Sequence, residues 1–352
     1  MIYRSEKTVS YDDICLVPAF SDLQSRSEAN IKTLGCYQNP IVNSPMIHTS
    51  SVNIIRYFIA NNMMCTVHRY FKCAVDQLQH VKAAVGEEYD SVFFSVGKSR
   101  EWIDSLIHNG VRKFVVDMAH GHSTVCGDTV KYIKKQSPNA YIIAGNVATA
   151  EGYRYLRKCG AHGIRAGIAG GSICSTAKNT AFGVPIVTTI LDCKEAKDDV
   201  GGLLIADGGI RSAADILKAV ACGADLVFCG KLLASTNLAQ GMFRNTNLEY
   251  TDLNGLTWSN GEPQYAEYAG MASHEMRMRN GSHDTKNVSI EGVAGLIKYT
   301  GATHDVIENI NANLKAGLSY CGARNWKEFY EKVIIREMST AGIVEKETHL
   351  DR

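Results

Sequence analysis

The feature that most constrains the fold of this chain is a repeat of short apolar strands separated by helical segments. The candidate strands are rich in β-branched and aromatic residues and cover residues 40–43, 64–67, 91–96, 113–117, 140–145, 162–166, 202–207 and 225–230. Apolar strands that alternate with helices are typical of a parallel sheet buried on both faces. Eight such units predict a (β/α)8 (TIM) barrel. A doubly wound sheet is the alternative, because strand number alone does not show closure.

The segments between the strands have helical spacing and end at glycines. Residues 151–159 and 213–222 each carry apolar residues at helical intervals and are followed by Gly160 and Gly223, which are plausible C-caps. No linker rich in Pro, Ser or Gly divides the 352 residues, so we predict one domain over 1–352. Residues 248–289 are polar, irregular and contain glycines. We predict that they form a mobile loop over the active site, within a flap at 245–290.

Composition excludes several classes of protein. The formal net charge is +1, so no basic surface for nucleic acid is indicated. The chain opens on charged residues without an apolar leader and contains no apolar run long enough to span a membrane. The 11 cysteines include no Cys-x-x-Cys pair, which argues against a zinc ribbon or a disulfide framework. A reducing cytoplasm is therefore the predicted location.

Glycines follow the last two predicted strands, where barrels of this kind commonly bind phosphate. Strand seven ends in Asp207-Gly208-Gly209, and strand eight ends in Gly230-Lys231. Exposed glycine N–H groups near a helix N-terminus suit an anion, and Lys231 would add a positive charge. Asp207 could accept hydrogen bonds from sugar hydroxyls. The alternative is that these glycines only permit tight turns.

The loop after the sixth predicted strand carries a candidate nucleophile. It reads Gly-Ile-Ala-Gly-Gly-Ser-Ile-Cys-Ser-Thr over residues 167–176, with Cys174 two residues before Thr176. Glycines let a backbone approach a ligand closely, and a thiolate held there can attack an electrophilic carbon. Spacing alone permits a second interpretation, in which Cys174 is an ordinary loop cysteine.

Two further chemistries are weaker alternatives. His120 and His122 form a His-x-His pair near Asp117 and Asp128, which could hold a catalytic metal, but the other ligands of a metal-dependent barrel hydrolase are not evident. The glycines at 167–171 do not match Gly-x-Gly-x-x-Gly, and no acidic residue follows in the right context. A dinucleotide-binding Rossmann unit is therefore not predicted.

Taken together, the motifs resemble the family of IMP dehydrogenase and GMP reductase barrels. The resemblance covers nearly the whole chain, and its motifs occur in the family's order. They are the opening segment at residues 10–18, the cysteine loop at 167–176, the Ala-Asp-Gly-Gly-Ile motif at 206–210 and the Tyr-Ala-Gly-Met-Ala-Ser stretch at 268–273. The resemblance implies a cysteine that forms a covalent adduct with a purine nucleotide.

Within this family the sequence is more similar to the reductase. The dehydrogenase carries an Arg-Tyr pair on a long flap, whereas neither Arg277 nor Arg279 precedes a tyrosine here, and only about 19 residues separate Met271 from Glu291. Between His68 and Ser91 there is no room for the dehydrogenase's inserted regulatory modules. Segments at 25–28, 67–69 and 117–123 also resemble the reductase. The implied reaction is reductive deamination of GMP, or a close nucleotide such as dGMP, with NADPH.

The resemblance also assigns site residues. It implies catalytic roles for Cys174, Thr176 and Glu291. It implies substrate binding by Asp207, Gly208, Gly209, Gly230, Lys231, Gly270, Met271, Ala272 and Gly292. It implies cofactor binding by Ser25, Arg26, Arg69, Asp117, Met118 and Ala119, and a K⁺ ion held by the backbone carbonyls of Ala169, Gly171 and Cys174.

The chain departs from the family pattern within the cysteine loop. Ala169 and Gly170 stand where the family has glycine and proline, and Ala177 replaces a basic or amide residue. An alanine there would be strained if a left-handed backbone is required. Two alternatives stay open: an IMP dehydrogenase without regulatory modules, and a nucleotide-binding barrel without turnover. The family is usually tetrameric, and residues 319–323 resemble the segment that a neighbouring subunit contributes.

Overall fold

The barrel predicted from the strand repeat is confirmed. The computed structural model describes residues 7–171, 175–254, 257–270, 273 and 292–345. After a first strand, β1 (Ile14–Val17), eight strands follow: β2 (Ile41–Asn43), β3 (Thr66–Val67), β4 (Phe93–Val96), β5 (Lys113–Asp117), β6 (Tyr141–Val147), β7 (Gly163–Ala166), β8 (Leu203–Asp207) and β9 (Leu226–Cys229). They form one parallel sheet in the order β2-β9-β8-β7-β6-β5-β4-β3. Because β2 pairs with β9, the sheet curls into a barrel, and the doubly wound alternative is wrong.

The barrel has one seam, between β2 and β3, where the ladder of backbone hydrogen bonds is replaced by side-chain bonds. The strands share only an isolated bridge between Val42 and Met64. Asn43 closes the gap: its Oδ1 accepts from Thr66 N at 2.7 Å, and its Nδ2 donates to Thr66 O at 2.8 Å. Thr66 Oγ1 donates in return to Asn43 O at 2.7 Å. The amide thus mimics a strand pair.

Helices follow the strands, and several of them begin at hydroxyl caps. They are α1 (Val52–Ala60), α2 (Ala74–Val85), α3 (Arg100–His108), α4 (Thr124–Gln136), α5 (Ala150–Lys158), α6 (Thr176–Thr180), α7 (Ile186–Val200), α8 (Ala213–Ala221), α9 (Lys231–Ala234), α10 (Thr303–Ser319), α11 (Trp326–Lys332) and α12 (Thr340–Glu345). Side-chain oxygens of Ser51, Ser99, Ser123, Thr149 and Ser212 accept backbone N–H groups at the starts of α1, α3, α4, α5 and α8. Such caps satisfy N–H groups that lack a partner within the helix. The helices predicted at 151–159 and 213–222 are confirmed as α5 and α8.

The core has two layers. Inside the barrel, a small apolar cluster fills the lumen and consists of Val42, Met64, Phe93, Val115, Ile143, Ile205, Leu226 and Phe228. A larger cluster packs the outer faces of the strands against the helices. Since the lumen is filled by side chains, it is not a pore, and ligands are restricted to the end of the barrel above this plug.

The segment predicted to be irregular contains regular structure. Short strands occur at β10 (Phe243–Arg244), β11 (Tyr250–Thr251), β12 (Leu253–Asn254), β13 (Thr257–Trp258), β14 (Tyr265–Ala269) and β15 (Ala294–Lys298). Four of them form an antiparallel sheet in the order β11-β10-β14-β15. The expectation of an irregular loop from residue 248 is therefore wrong up to Ala269. Polar residues there alternate with buried Ala266 and Tyr268, a strand pattern masked by the glycines and asparagines around it.

A further strand, β16 (Ile334–Glu337), pairs antiparallel with β1 outside the barrel. This pairing holds the segment before β1 in place, and Lys7 Nζ also meets Glu337 Oε2 at 2.6 Å. The three residues immediately before β1 form a short 3-10 helix that leads to the carboxyl end of the barrel. Among the described residues, no helix is long and apolar enough to cross a membrane.

Candidate active site

A cavity of about 910 Å³ opens at the carboxyl ends of the barrel strands. Its wall includes the loops that follow β2, β3, β5, β6, β7, β8 and β9, together with residues 10–12 and part of β14. The cavity therefore lies where a barrel of this kind carries its chemistry. Such a volume accommodates a ligand of nucleotide size with room for a second group.

A row of alternating charges crosses the floor of the cavity. Arg165 Nη1 donates to Asp117 Oδ1 at 2.7 Å, and Arg165 Nε donates to Asp207 Oδ2 at 2.8 Å. Arg69 Nε lies 3.4 Å from Asp117 Oδ2 and extends the row. The two arginines and two aspartates cancel in charge. The row joins the side of the cavity at β3 and β5 to the side at β8.

The strands explain why an arginine can stand inside the barrel. Arg165 lies in β7, and its guanidinium is 4.7 Å from the centroid of the Phe228 ring, the uppermost layer of the apolar plug. A Cβ at Gly145 on neighbouring β6 would come within 2.7 Å of Arg165 Cβ, so glycine is needed there. Burial opposes the charge on Arg165, but Asp207 and Asp117 outweigh it and hold the pKa of the guanidinium above its ordinary value.

Among the described residues, hydrogen bonds reach one carboxylate oxygen of Asp207 and not the other. Both Arg165 Nε and Asn146 Nδ2 donate to its Oδ2, the latter at 2.6 Å, and no hydrogen bond from the described residues reaches Oδ1. Asn146 Nδ2 also donates to Gly167 O at 2.7 Å and so ties the carboxylate to the cysteine loop. The free oxygen of Asp207 lines the cavity and can accept a ligand hydroxyl.

The predicted phosphate-binding residues meet at one end of the cavity. Gly208, Gly209, Gly230 and Lys231 all line it. Gly208 and Gly209 have φ of +107° and +75°, a conformation that favours glycine. A Cβ at Gly230 would collide with the Tyr268 hydroxyl. These glycines therefore leave backbone N–H groups and Lys231 accessible to an anion.

A clasp of ion pairs borders this end of the cavity. Arg211 Nη1 and Nη2 donate to the two carboxylate oxygens of Asp12 at 2.9 and 2.8 Å. The backbone N–H of Arg211 donates to buried Asp215 in α8 at 2.9 Å. Through this clasp the segment before β1 is tied to the loop after β8, which fixes the backbone of the glycine pair.

The cysteine loop packs tightly against the glycine pair. The Cβ position of Gly208 is 2.9 Å from Gly170 C, and that of Gly167 would collide with Asp207 O. Ala169 has φ +70°, so this alanine adopts the left-handed backbone that the family's glycine would adopt without strain. A side chain at Gly170 would meet only ordinary contacts, at 3.7 Å or more. Of the two departures, Ala169 rather than Gly170 carries backbone strain.

Four predicted site residues lie outside the described residues: the catalytic candidates Cys174 and Glu291, and the substrate-binding candidates Met271 and Ala272. Residues on both sides of Cys174 are described, and both Gly171 and Thr176 line the cavity. Gly270 lines it too, and a Cβ at Gly292 would lie 3.2 Å from Gly270 Cα. The chain segments that flank these four positions therefore converge on one cavity.

The predicted cofactor residues fall into two groups. Arg69, Asp117, Met118 and Ala119 line the cavity on the side opposite Lys231. Ser25 and Arg26 do not line it: they lie in a short exposed turn, where the Arg26 guanidinium is 5.9 Å from the centroid of the Tyr320 ring. Tyr320 is 59% exposed and belongs to the segment predicted to serve a neighbouring subunit. Within the part of the chain that the structure describes, that segment does not reach the cavity.

The alternative of a metal-dependent hydrolase finds no ligand set in the part of the chain that the structure describes. His120 and His122 are both exposed, and their ring centroids are 6.4 Å apart. Within the described ranges, no group of three or more His, Cys, Asp or Glu side chains is placed to hold an ion. Asp117 instead accepts hydrogen bonds from Arg165 and Arg69.

The cavity, with glycines and Lys231 at one end and Asp207 open to it, agrees with what the protein-family comparison finds. The model of the IMP dehydrogenase / GMP reductase domain matches residues 8–349. The chain belongs to this family. Its members share an oxidoreductase chemistry on purine nucleotides with a nicotinamide cofactor.

Named relatives come from both branches of the family. Inosine-5′-monophosphate dehydrogenase from Nitrosopumilus maritimus is 34% identical over 278 residues, which cover 76% of this chain and 54% of the relative. The enzyme of the same name from Aquifex aeolicus is 37% identical, covering 72% and 51%. The chain thus spans about half the length of these relatives. A crystal structure of a GMP reductase variant from Trypanosoma brucei with guanosine 5′-monophosphate superposes with a TM-score of 0.84 at 21% identity, covering 99% of this chain and 98% of that one, which supports the fold.

Two residues at the centre of the family site were missed by sequence reasoning. Arg165 and Asn146 join the aspartates to each other and to the cysteine loop. The sequence does indicate a special role for Arg165, because a lone arginine in an otherwise buried strand must find carboxylate partners. The sequence indicates less about Asn146, since an asparagine near the end of a strand is common in turns.

The tight loop packing makes a paired test possible. A Cβ at Gly183 would lie 2.8 Å from Ala169 Cβ, closer than such atoms can come. We expect Gly183→Ala to displace the cysteine loop and to lower the kcat of nucleotide turnover at least about 10-fold, because small displacements of a reacting group are costly in catalysis. Adding Ala169→Gly removes the opposing Cβ and should recover most of that loss. Steady-state kinetics of both variants check this, and equal kcat in the single and double variants would contradict it.

Proposed function

We propose that this protein is a GMP reductase-type enzyme that converts a guanine nucleotide and NADPH to IMP, NADP⁺ and ammonia. The observation that carries the proposal is the two-sided cavity: a phosphate and sugar end at Asp207–Lys231, and a second end at Arg69 and Asp117. A reaction between a nucleotide and a second, cofactor-sized ligand needs such a cavity. The short stretch between Met271 and Glu291, without an Arg-Tyr pair, favours reduction over oxidation.

In the proposed reaction, the Cys174 thiolate attacks C2 of guanine and forms a C–S bond. The C–N bond breaks with its electron pair, and the departing amine takes a proton through Thr176 and Glu291, so that ammonia leaves. When bound, the reduced nicotinamide supplies a hydride. C2 then carries hydrogen in place of the amine, the C–S bond breaks, and Cys174 leaves as thiolate. One proton is consumed for each NADPH oxidised and each ammonia released.

The described residues contribute binding and orientation. Gly208, Gly209 and Lys231 are proposed to hold the 5′-phosphate, and the open oxygen of Asp207 to accept a ribose hydroxyl. Arg69 and Asp117 are proposed to hold the cofactor's nicotinamide ribose side. The residues fit such a group, because Asp117 supplies an acceptor and Arg69 a cation at one wall of the cavity.

Further parts of the proposal concern the ion, the assembly and the location. The described residues donate no hydrogen bond to the carbonyl oxygens of Ala169 and Gly171, so both fit a role as K⁺ ligands. The exposed Arg26–Tyr320 pair fits a role at a neighbouring subunit's cofactor, which favours a homotetramer. A thiolate nucleophile also suits the reducing cytoplasm.

The alternative candidate is an IMP dehydrogenase, which the names of the more similar relatives favour. That enzyme would oxidise IMP with NAD⁺ and use water at the step where the reductase releases ammonia. A barrel that binds the nucleotide without turnover is the third possibility, motivated by the strained Ala169.

A paired assay separates these functions. GMP with NADPH should consume NADPH and release equimolar ammonia, whereas IMP with NAD⁺ should give little NADH. dGMP should react with a kcat/KM at least about 10-fold lower, because Asp207 would lose a hydroxyl donor. Turnover only with IMP and NAD⁺ would establish the dehydrogenase. Tight GMP binding in calorimetry without any redox change would establish the binding protein.

A further inference from the structure

Arg165 is shared between the two ends of the cavity. It donates from Nη1 to Asp117, on the proposed cofactor side, and from Nε to Asp207, on the proposed nucleotide side. These two nitrogens belong to one planar group with fixed bond lengths and angles. The guanidinium therefore sets a fixed spacing between two carboxylates that come from different strands, β5 and β8.

Each carboxylate keeps accepting capacity toward the cavity. Asp207 receives both of its described hydrogen bonds on Oδ2, which leaves Oδ1 open. The Oδ1 of Asp117 accepts from Arg165, and among the described residues its Oδ2 has only the long 3.4 Å contact with Arg69. The side chains of both aspartates remain partly exposed, at 19% for Asp117 and 16% for Asp207. Each can accept a hydroxyl while Arg165 holds its other oxygen.

The surroundings prevent the guanidinium from turning. Its side chain is 10% exposed, and the Phe228 ring lies beneath it with the centroid at 4.7 Å. Backbone and side-chain atoms of Arg165 fill the space where a side chain at Gly145 would project. Two ion pairs and one stacked ring thus hold Arg165 in one orientation before any ligand arrives.

We propose that Arg165 is a positioning residue that fixes the separation of the two ligand riboses by fixing the separation of Asp117 and Asp207. The proposal rests on the proposed function for the identity of the ligands. Hydride transfer requires the reacting carbons to approach to about 3–3.5 Å, and an error of about 1 Å can cost about 100-fold in rate. A rigid link between the two sugar acceptors holds both reactants to that tolerance.

The test is Arg165→Lys in the 352-residue protein. Lysine keeps the positive charge between the aspartates but lacks the planar fork that donates from two fixed nitrogens. We expect KM for GMP and NADPH to stay within about threefold, while kcat falls about 100-fold. With NADPH deuterated at the transferred position, the isotope effect on kcat should increase, because hydride transfer becomes rate-limiting.

The matched control is Arg154→Lys. Arg154 also bridges two carboxylates, Asp199 at 2.5 Å and Glu195 at 3.2 Å, but on the outer surface between α5 and α7. We expect its kcat and isotope effect to equal those of the unmodified protein. If an arginine between two carboxylates only stabilised the fold, both variants would lose thermal stability and neither would change in kcat or in isotope effect.

A second variant keeps the proposal testable if Arg165→Lys does not fold. Asp117→Glu retains every charge but lengthens one arm of the link by a methylene, so it should also lower kcat with little change in KM for GMP. A kcat within threefold of the unmodified protein in a folded variant overturns the proposal, as does a loss confined to KM. If unmodified protein turns over only IMP and NAD⁺, the proposed function fails, and the same comparison in that direction still decides the role of Arg165.

Discussion

Replacing Cys174 with alanine is expected to lower turnover of GMP and NADPH by at least about 10⁴-fold, because the covalent step then has no nucleophile. The affinity for GMP should change little, since the residues proposed to hold phosphate and ribose, namely Gly208, Gly209 and Asp207, line the cavity outside the cysteine loop. NADPH oxidation measures turnover, and calorimetry with GMP measures binding. Mass spectrometry of unmodified protein with substrate should detect the adduct, and the variant should lack it.

The matched control is Cys36→Ala. Cys36 is an exposed free cysteine in the turn before β2, far along the chain from the cysteine loop. Its removal should leave turnover and GMP affinity unchanged. If Cys174→Ala retained more than one hundredth of the activity, or if Cys36→Ala lost activity as well, a specific nucleophile at position 174 would be disproved.

Replacing Asn43 with leucine is expected to lower the free energy of unfolding by about 3–6 kcal/mol, because three buried backbone groups lose their partner. These are Thr66 N, Thr66 O and Thr49 O, bonded to Asn43 at 2.7, 2.8 and 2.7 Å. Leucine has the same number of side-chain heavy atoms in the same branched arrangement, so the substitution leaves no cavity and the loss reports the broken hydrogen bonds. Denaturant titration followed by circular dichroism measures it.

The same change on the surface serves as its control. Asn313 in α10 is exposed and bonds only within its own helix, to Asn309. Asn313→Leu should change the unfolding free energy by less than about 0.5 kcal/mol. Equal effects at the two positions would show that the seam between β2 and β3 is held by something other than the Asn43 amide.

The barrel could be predicted from the sequence because each strand is a local run of apolar residues with helices between. That Asp207-Gly208-Gly209 and Gly230-Lys231 meet at one cavity could be predicted for a related reason: they directly follow two such strands, and parallel strands bring their carboxyl ends together. Phosphate binding by these residues stays a prediction. The sequence indicates which residues follow a strand, and the fold brings them together.

What could not be predicted depends on contacts between distant strands. Asn43 and Thr66 lie on the two strands that fail to form a regular ladder, and nothing local to either residue signals that they meet. Arg165 was visible as a charge in a buried strand, but its partners are set by the register of β5, β7 and β8. Ala169 has positive φ, which its residue type does not suggest.

The antiparallel strands after β9 were misread for a different reason. Their segments are two to five residues long and are separated by turn-forming residues, so no window contains a sustained alternation. Pairing between β14 and β15 joins residues on either side of the stretch 270–293, such as Tyr268 with Gly295. Such long-range pairing leaves little trace in either strand alone.

The pairing of β2 with β9 also has a consequence for the order in which the protein becomes functional during synthesis. Ile41 pairs with Val227, so the chain must be made beyond β9 before β2 can form its regular ladder of backbone hydrogen bonds. Other residues of the cavity are made earlier: Arg69 follows β3, Asp117 ends β5, and Arg165 lies in β7. The strands from β4 to β7 pair in the order in which they are synthesised. The side of the cavity at β5 can therefore form on a nascent chain, whereas the glycine-lined side at β8 and β9 is complete only at ring closure.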